Sequence, residues 1–242
     1  IALLGALLFG TFRWVMFHSA VMHPEAPMLL GIVLAIWGTA AFSLRPQLRS
    51  VLLTGVGCGM AIGAKLQGLL IAPSCALILL YVLFSARANF SFVSKTIGTG
   101  AIAFAGTLFV CSPYQLLHWE RLLTGIQTER MVQTTSEDLS TLRWLEYMLS
   151  NEYLGYAYAV LLFGTAGFLL WQRVQLRPEQ QRLLLNAIIH VGFGTLYVVF
   201  AVHNLIARYL VHTIPALAFL LCLLTAFTWE RLGRKPRWFH FM

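Results

Sequence analysis

Charge is what this sequence has least of. Only 11% of its 242 residues are Asp, Glu, Lys or Arg, against about 25% in an ordinary soluble domain. That deficit, with a mean hydropathy of +0.75, excludes water as the main solvent. Strict alternation of apolar and polar residues is also missing, which excludes a transmembrane barrel. No glycine-rich phosphate loop, no nucleophile elbow of the GxSxG type and no dinucleotide fingerprint occur, so no soluble nucleotide site is expected. The four cysteines, Cys58, Cys75, Cys111 and Cys222, show no CxxC spacing. They read as small buried hydrophobes, with metal or disulfide chemistry as the alternative. Seven histidines are scattered without an HxxxH pair. No cofactor is firmly implied, and a divalent ion near His18 and His23 is the alternative reading.

What is present is a series of apolar runs of the length that crosses a hydrocarbon core as helix, about 17–25 residues. The expectation is an all-α, polytopic transmembrane bundle forming a single domain over 1–242. Polar breaks divide it into about eight helices at 1–19, 26–43, 50–64, 67–86, 95–112, 153–172, 182–201 and 208–228. The segment 50–64 is short for a full span. The longest non-spanning stretch is a loop at 113–152. Within it Leu139, Leu142, Leu145, Met148 and Leu149 recur at helical spacing, with Ser136 or Ser140 as a cap. This predicts an amphipathic helix over 139–150, lying on the membrane surface.

The formal charge of +8 is accounted for by its placement. With "LRPQLRS" on the cytoplasmic side, alternation of the helices puts 11 of the 17 basic residues there, including the tail "ERLGRKPRWFHFM". Seven of the nine acidic residues fall on the opposite, outer side. Nucleic acid is not needed to explain the charge. The tail's composition suits an anionic headgroup layer.

A few polar residues stand out against this background. Glu25 lies between prolines in "HPEAPM", at an outer turn. Residues before proline avoid helical geometry, so His23 and Ala26 are expected to be extended or turning, with Pro27 opening the next helix. Glu25 is then either a helix-start charge or a carboxylate held at the mouth of an outer cavity, where it acts as a base or orients an acceptor. It is expected within reach of the region around Lys65 and off the lipid face. Lys65 follows a run containing Gly55, Gly57, Gly59 and Gly63, which admits a close backbone or a lipid chain. It either snorkels to the interface or holds a phosphate. Arg208, before Tyr209, is an interfacial anchor or a phosphate ligand. Arg13 lies mid-run, where an arginine costs at least ~2.5 kcal/mol at the bilayer centre, so it should face protein or water.

Taken in order, "HSAVMHPEAPMLLGIVLAIWG", "GVGCGMAIGAKLQGLLIAPSCALILL", "CSPYQLLHWERLLTGIQTERM", "LEYMLSNEYLGYAYAVLLFGTAGFLLWQR" and "ARYLVHTIPALAFLLC" resemble the GT-C class of polytopic glycosyltransferases. The branch is that of the protein O-mannosyltransferases and aminoarabinose transferases. The resemblance implies a GT-C-like fold and transfer of a sugar from a polyprenyl-phosphate carrier to an acceptor on the outer side, in a bacterial inner membrane. It implies that Glu25 is catalytic, and that Lys65, Arg208, Tyr209, Pro113 and Tyr114 bind the donor. Lys65 and Arg208 are expected to converge on one anionic headgroup. The main catalytic aspartate of that class stands in a first outer loop, so it is expected upstream of Ile1. Without it, the chain reads as a non-catalytic scaffold subunit of a membrane complex. A transporter is a further alternative, though no internal repeat supports it.

Overall fold

The computed structural model describes residues 24–113, 117–134, 160, 163–164, 166–168, 170, 176–201 and 213–231. These are helical throughout apart from turns and short links, with no strand among the described residues. The helices are α1 (Glu25–Leu44), α2 (Leu48–Ala64), a 3-10 turn (Leu66–Leu70), α3 (Ile71–Ser85), α4 (Phe90–Cys111), α5 (Trp119–Thr134), α6 (Pro178–Ala201) and α7 (Ile214–Arg231). Three stretches are long and apolar enough to cross a membrane: Glu25–Leu44, Leu66–Ser85 and Phe90–Cys111. The chain therefore has the build of a helical membrane protein. At 17 residues, α2 is about 25 Å long, shorter than a full span, as its sequence indicates. The expected segment 1–19, most of 153–172, and the amphipathic helix at 139–150 lie outside the described residues.

Local chemistry sets the helix ends. Pro24 occupies the N-cap of α1, and its carbonyl accepts from the Met28 N–H at 3.3 Å. Ala26 is helical and Pro27 is the third residue of α1, not the first. A proline in the first turn displaces no intrahelical hydrogen bond, because its N–H position is one of the orphans there. That outweighs the bias against helical geometry at Ala26. At the other end Arg45 is extended (φ −141°, ψ 105°), as the residue before Pro46 must be. α3 closes in a Schellman turn: Arg87 N–H donates to Phe84 O at 3.1 Å and Ala88 N–H to Leu83 O at 3.0 Å. Arg87 takes the left-handed conformation, φ 48°, which costs a non-glycine residue roughly 1–2 kcal/mol. Asn89 then caps α4 by accepting from Phe92 N–H at 2.8 Å.

Two helix starts lie four to five residues earlier than the sequence suggests. α4 begins at Phe90 through the Asn89 cap. α6 begins with Pro178 in the first position, where Arg177 N–H donates to Gln180 Oε1 at 2.9 Å in half of a capping box. Arg177 and Gln180 also donate to the Glu230 carboxylate, at 2.7 and 3.0 Å, and so join the start of α6 to the end of α7.

Helix α2 is the centre of the bundle, and two faces of it are made of glycine. Gly57 meets α1: a Cβ there would lie 2.6 Å from Gly31 O and 2.9 Å from Ala35 Cα. Gly55, Gly59 and Gly63, four residues apart, meet α4. Added Cβ atoms would lie 2.7 Å from Gly100 O, 2.6 Å from Phe104 O and 2.8 Å from Cys111 Cβ. The glycine-rich run therefore receives backbone on two sides. Around this contact, Met28, Ile32, Ala35, Cys58, Ala61, Ile71 and Cys75 form a buried cluster near the Glu25 end. Phe42, Val51, Ile78, Val82 and Leu83 form a second cluster toward the other end, where the Phe42 and Phe92 rings stack at 6.5 Å. Cys58, Cys75 and Cys222 are buried as expected, whereas Cys111 is exposed. α4 buries only the narrow strip that faces α2, and Cys111 lies at its edge.

The packing yields a paired prediction for thermal unfolding in detergent. Gly57→Val should destabilise by more than the ~1–3 kcal/mol typical of overpacking, since backbone of α1 cannot yield to it. Gly98→Ala on α4, where an added Cβ meets nothing within 4 Å, should be neutral or stabilise by roughly 0.5–1 kcal/mol.

Candidate functional site

The break after α2 carries the first feature. Lys65 is extended (φ −158°, ψ 137°), and its N–H still donates to Ala61 O at 3.1 Å. The chain then folds sharply back, with Gly68 against the backbone of Ala61 and Ile62. This turn aims the Lys65 ammonium at the start of α1, where its Nζ donates to Glu25 Oε1. Glu25 is the first residue of α1 and is buried, its side chain 1% exposed against 22% for Lys65. The helix dipole favours a carboxylate there, and the ammonium neutralises it. Glu25 is thus a helix-start charge, one of its two expected settings, and lies within reach of Lys65 as expected; it is buried and engaged by Lys65. The reason is the close α1–α2 approach through Gly31 and Gly57, which brings Lys65 within reach.

Pro113 follows the end of α4. The preceding residues Cys111 and Ser112 pack on Gly63, two positions before Lys65, so the chain reaches Pro113 from the Glu25–Lys65 end. Tyr114, Arg208 and Tyr209 lie outside the described residues, and so does the expected meeting of Lys65 with Arg208. Helix α5 falls within the loop 113–152, where sequence periodicity singles out 139–150 instead. Thr124 and Thr128 donate to the Glu120 and Thr124 carbonyls at 3.0 and 2.9 Å. These poor helix formers are thus accommodated by back-bonding, and their polar pattern hid the helix.

A second polar feature lies inside the bundle, between the two apolar clusters. His190 of α6 is 3% exposed. Its Nε2 is 3.0 Å from Thr39 Oγ1 of α1, and its Nδ1 is 2.8 Å from Ser74 Oγ of α3. One turn away, Asn186 Nδ2 donates to Ser43 Oγ at 3.3 Å. Thr39 and Ser43 are four apart on α1, and Asn186 and His190 four apart on α6. The two antiparallel helices therefore meet in register, as two rungs of one ladder. Both hydroxyls beside the imidazole also lie within reach of backbone carbonyls, Thr39 of Ile36 O at 3.0 Å and Ser74 of Ile71 O at 2.8 Å. A neutral imidazole donates to one hydroxyl and accepts from the other. One hydroxyl then keeps its backbone bond while the other turns to the ring, and either tautomer satisfies the cluster. Sequence reasoning passed over these residues because each is a single polar position in an apolar run. The matching four-residue spacings on two runs were the available signal.

No family model, curated protein or solved structure matches the sequence. Among the described residues no three His, Cys, Asp or Glu side chains converge as a metal site.

Interhelical hydrogen bonds in membrane proteins average about 0.6 kcal/mol, up to ~1.7. His190→Leu, which removes two, should lower unfolding stability in detergent by roughly 1–3 kcal/mol. Asn186→Leu should be neutral or stabilising, because among the described residues the buried Asn186 Oδ1 has no hydrogen-bond partner and its removal ends a desolvation penalty. A larger loss for Asn186→Leu than for His190→Leu would contradict this ranking.

Proposed function

We propose that the chain is a multi-pass membrane glycosyltransferase of the GT-C kind, moving a sugar from a polyprenyl-phosphate carrier to an acceptor on the outer side. The observation that carries the reading is the meeting of Glu25 and Lys65, forty residues apart, at one end of the bundle. The other end collects Arg45, Arg49, Arg87 and Lys95 at its helix links and in the first two turns of its helices. On the positive-inside rule that basic end faces the cytoplasm of a bacterial inner membrane, and the Glu25–Lys65 end faces out.

The chemistry asks for a proton acceptor and for positive charge at the leaving phosphate. An acceptor oxygen attacks the anomeric carbon, the bond from that carbon to the phosphate oxygen breaks, and the carrier phosphate leaves with the electron pair. A carboxylate takes the acceptor's proton. An ammonium stabilises the charge that grows on the leaving phosphate. Lys65 suits the second task, being the more exposed partner. Glu25 suits the first only once Lys65 turns toward phosphate and water reaches the carboxylate. The donor brings its leaving group with it, so no nucleotide domain is required.

A second reading is favoured by the same pair. Glu25 and Lys65 neutralise each other within the chain, as architectural ion pairs do, and a non-catalytic scaffold subunit needs no more than that.

Binding of a polyprenyl phosphate to the purified protein in detergent separates the two. Lys65→Ala alone removes the ammonium that pairs with a buried carboxylate and thereby changes the fold's electrostatics as well as the site, so the neutral pair Glu25→Gln/Lys65→Met is the informative variant. With its fold verified by thermal unfolding, it should bind the carrier about tenfold or more weakly, since a charge-assisted contact is worth roughly 1.5–3 kcal/mol. Glu25→Gln alone should bind it at least as well as the unsubstituted chain, because a carboxylate no longer competes with the phosphate for the ammonium. Carrier affinity unchanged in the double variant would leave the pair as architecture.

A further inference from the structure

The α3–α4 link holds a feature that neither the ion pair nor the buried ladder uses. A cleft of about 290 Å³ opens there, lined by Leu80, Leu83, Phe84, Arg87, Ala88 and Val93. Five of the six are apolar, and the sixth is the arginine in the left-handed turn. Phe84 and Phe90, on either side of that turn, are 78% and 85% exposed. Among the described residues Arg87 makes no ion pair. The Schellman turn fixes its backbone, and glycine is the ordinary occupant of that conformation. The sequence places a cation where glycine would be less strained.

We propose that this cleft is a binding site for an anionic glycerophospholipid. Its acyl chain lies against Leu80, Phe84 and Val93, and its headgroup phosphate pairs with the Arg87 guanidinium. Charge complementarity selects the occupant. Arg45, Arg49 and Lys95 stand at the same end of the bundle, exposed. Of the two described acidic residues there, Glu230 is held by Arg177 and Gln180, which leaves Glu179 alone on the helix start. A guanidinium binds phosphate oxygens in a bidentate fork. An apolar cleft below a cation is the shape of a lipid with its phosphate at the interface, and not of a soluble anion. Helix α3 buries less than half of its span, so a chain lying in the cleft reaches it from the bilayer without entering the protein.

The test uses the whole purified chain in a neutral detergent, with thermal unfolding and native mass spectrometry as readouts. Phosphatidylglycerol should bind and stabilise more strongly than phosphatidylcholine of the same acyl chains, by several-fold in apparent affinity. Glycerol 3-phosphate should do neither. Arg87→Gly relieves the backbone and removes the charge together. It should be at least as heat-stable as the unsubstituted protein without lipid, yet bind phosphatidylglycerol no better than phosphatidylcholine. Arg45→Gln, at the same end but off the cleft, should keep it. Arg87→Asn, also tolerant of the left-handed turn, serves if the glycine variant fails to fold. Retained preference in the Arg87 variants would reduce the effect to a diffuse basic collar and overturn the site. Equal stabilisation by glycerol 3-phosphate would overturn the lipid as its occupant.

Discussion

Close backbone contact along α2 is the constraint on which the rest of this structure depends. In lipid, apolar side chains gain little by leaving their surroundings for one another, so helices associate through packing and hydrogen bonds. Packing is tightest where no side chain intervenes. α2 presents Gly57 to α1, and Gly55, Gly59 and Gly63 to α4. It is thus held on two sides at backbone distance. Its short length then has a consequence. The chain turns back at Lys65 while still inside the reach of Glu25, and the ammonium lands on a buried carboxylate rather than in water. The ion pair is a product of the glycine contact as much as of its own attraction.

Two kinds of polar contact coexist in the bundle, and magnitudes separate their roles. The ladder of Thr39, Ser43, Ser74, Asn186 and His190 is neutral in net charge when the imidazole is neutral, and its hydroxyls fall back on carbonyls of their own helices. Each rung therefore adds modest energy but sets the register of α6 against α1 and α3. An apolar contact in the same place would tolerate sliding. The ion pair is different in kind. Taking one partner away from a buried pair costs about 3–5 kcal/mol, because the charge left behind loses its compensation away from water. Register is supplied cheaply in the interior, and the one costly contact among the described helices sits at the bundle's end.

Much of the helical layout was legible because apolar run length is a direct reading of bilayer thickness. The spans at 26–43 and 67–86 agree with α1 and with the 3-10 turn plus α3 to within a residue or two. Starts were less legible. Ser91, Ser94 and Lys95 read as loop, yet Asn89 had already capped α4. Pro178 opened α6 ahead of its first apolar residue. α5 was missed altogether, since threonines and Gly125 disguise a helix that closes its hydroxyls on itself. At the site, Glu25 and Lys65 were legible as residues of interest from their settings. That Glu25 lies within reach of the Lys65 region was expected, but their direct ion pair was not, because it arises from where α2 ends in space. His190 was invisible one residue at a time, and only the pairing of two spacings on distant helices reveals it.

The unequal exposure of the ion pair gives it a direction. Glu25 is sealed at the first turn of α1, where the helix dipole and the adjacent chain hold its charge. Lys65 reaches it from an extended link, on a flexible stem, with about a fifth of its side chain open. An ammonium so placed can exchange its partner by rotating about its own bonds, whereas the carboxylate can change partners only if α1 moves. Any anion arriving at this end therefore meets a cation that can turn toward it and a carboxylate that resists the turn. Binding there is a competition, decided by whether the incoming charge compensates the buried Glu25 for what it loses. A singly charged anion would do so poorly. A ligand carrying a phosphate together with a group that can share a proton with the carboxylate would do so well, and under the proposed activity an acceptor's hydroxyl beside a carrier phosphate would be such a combination.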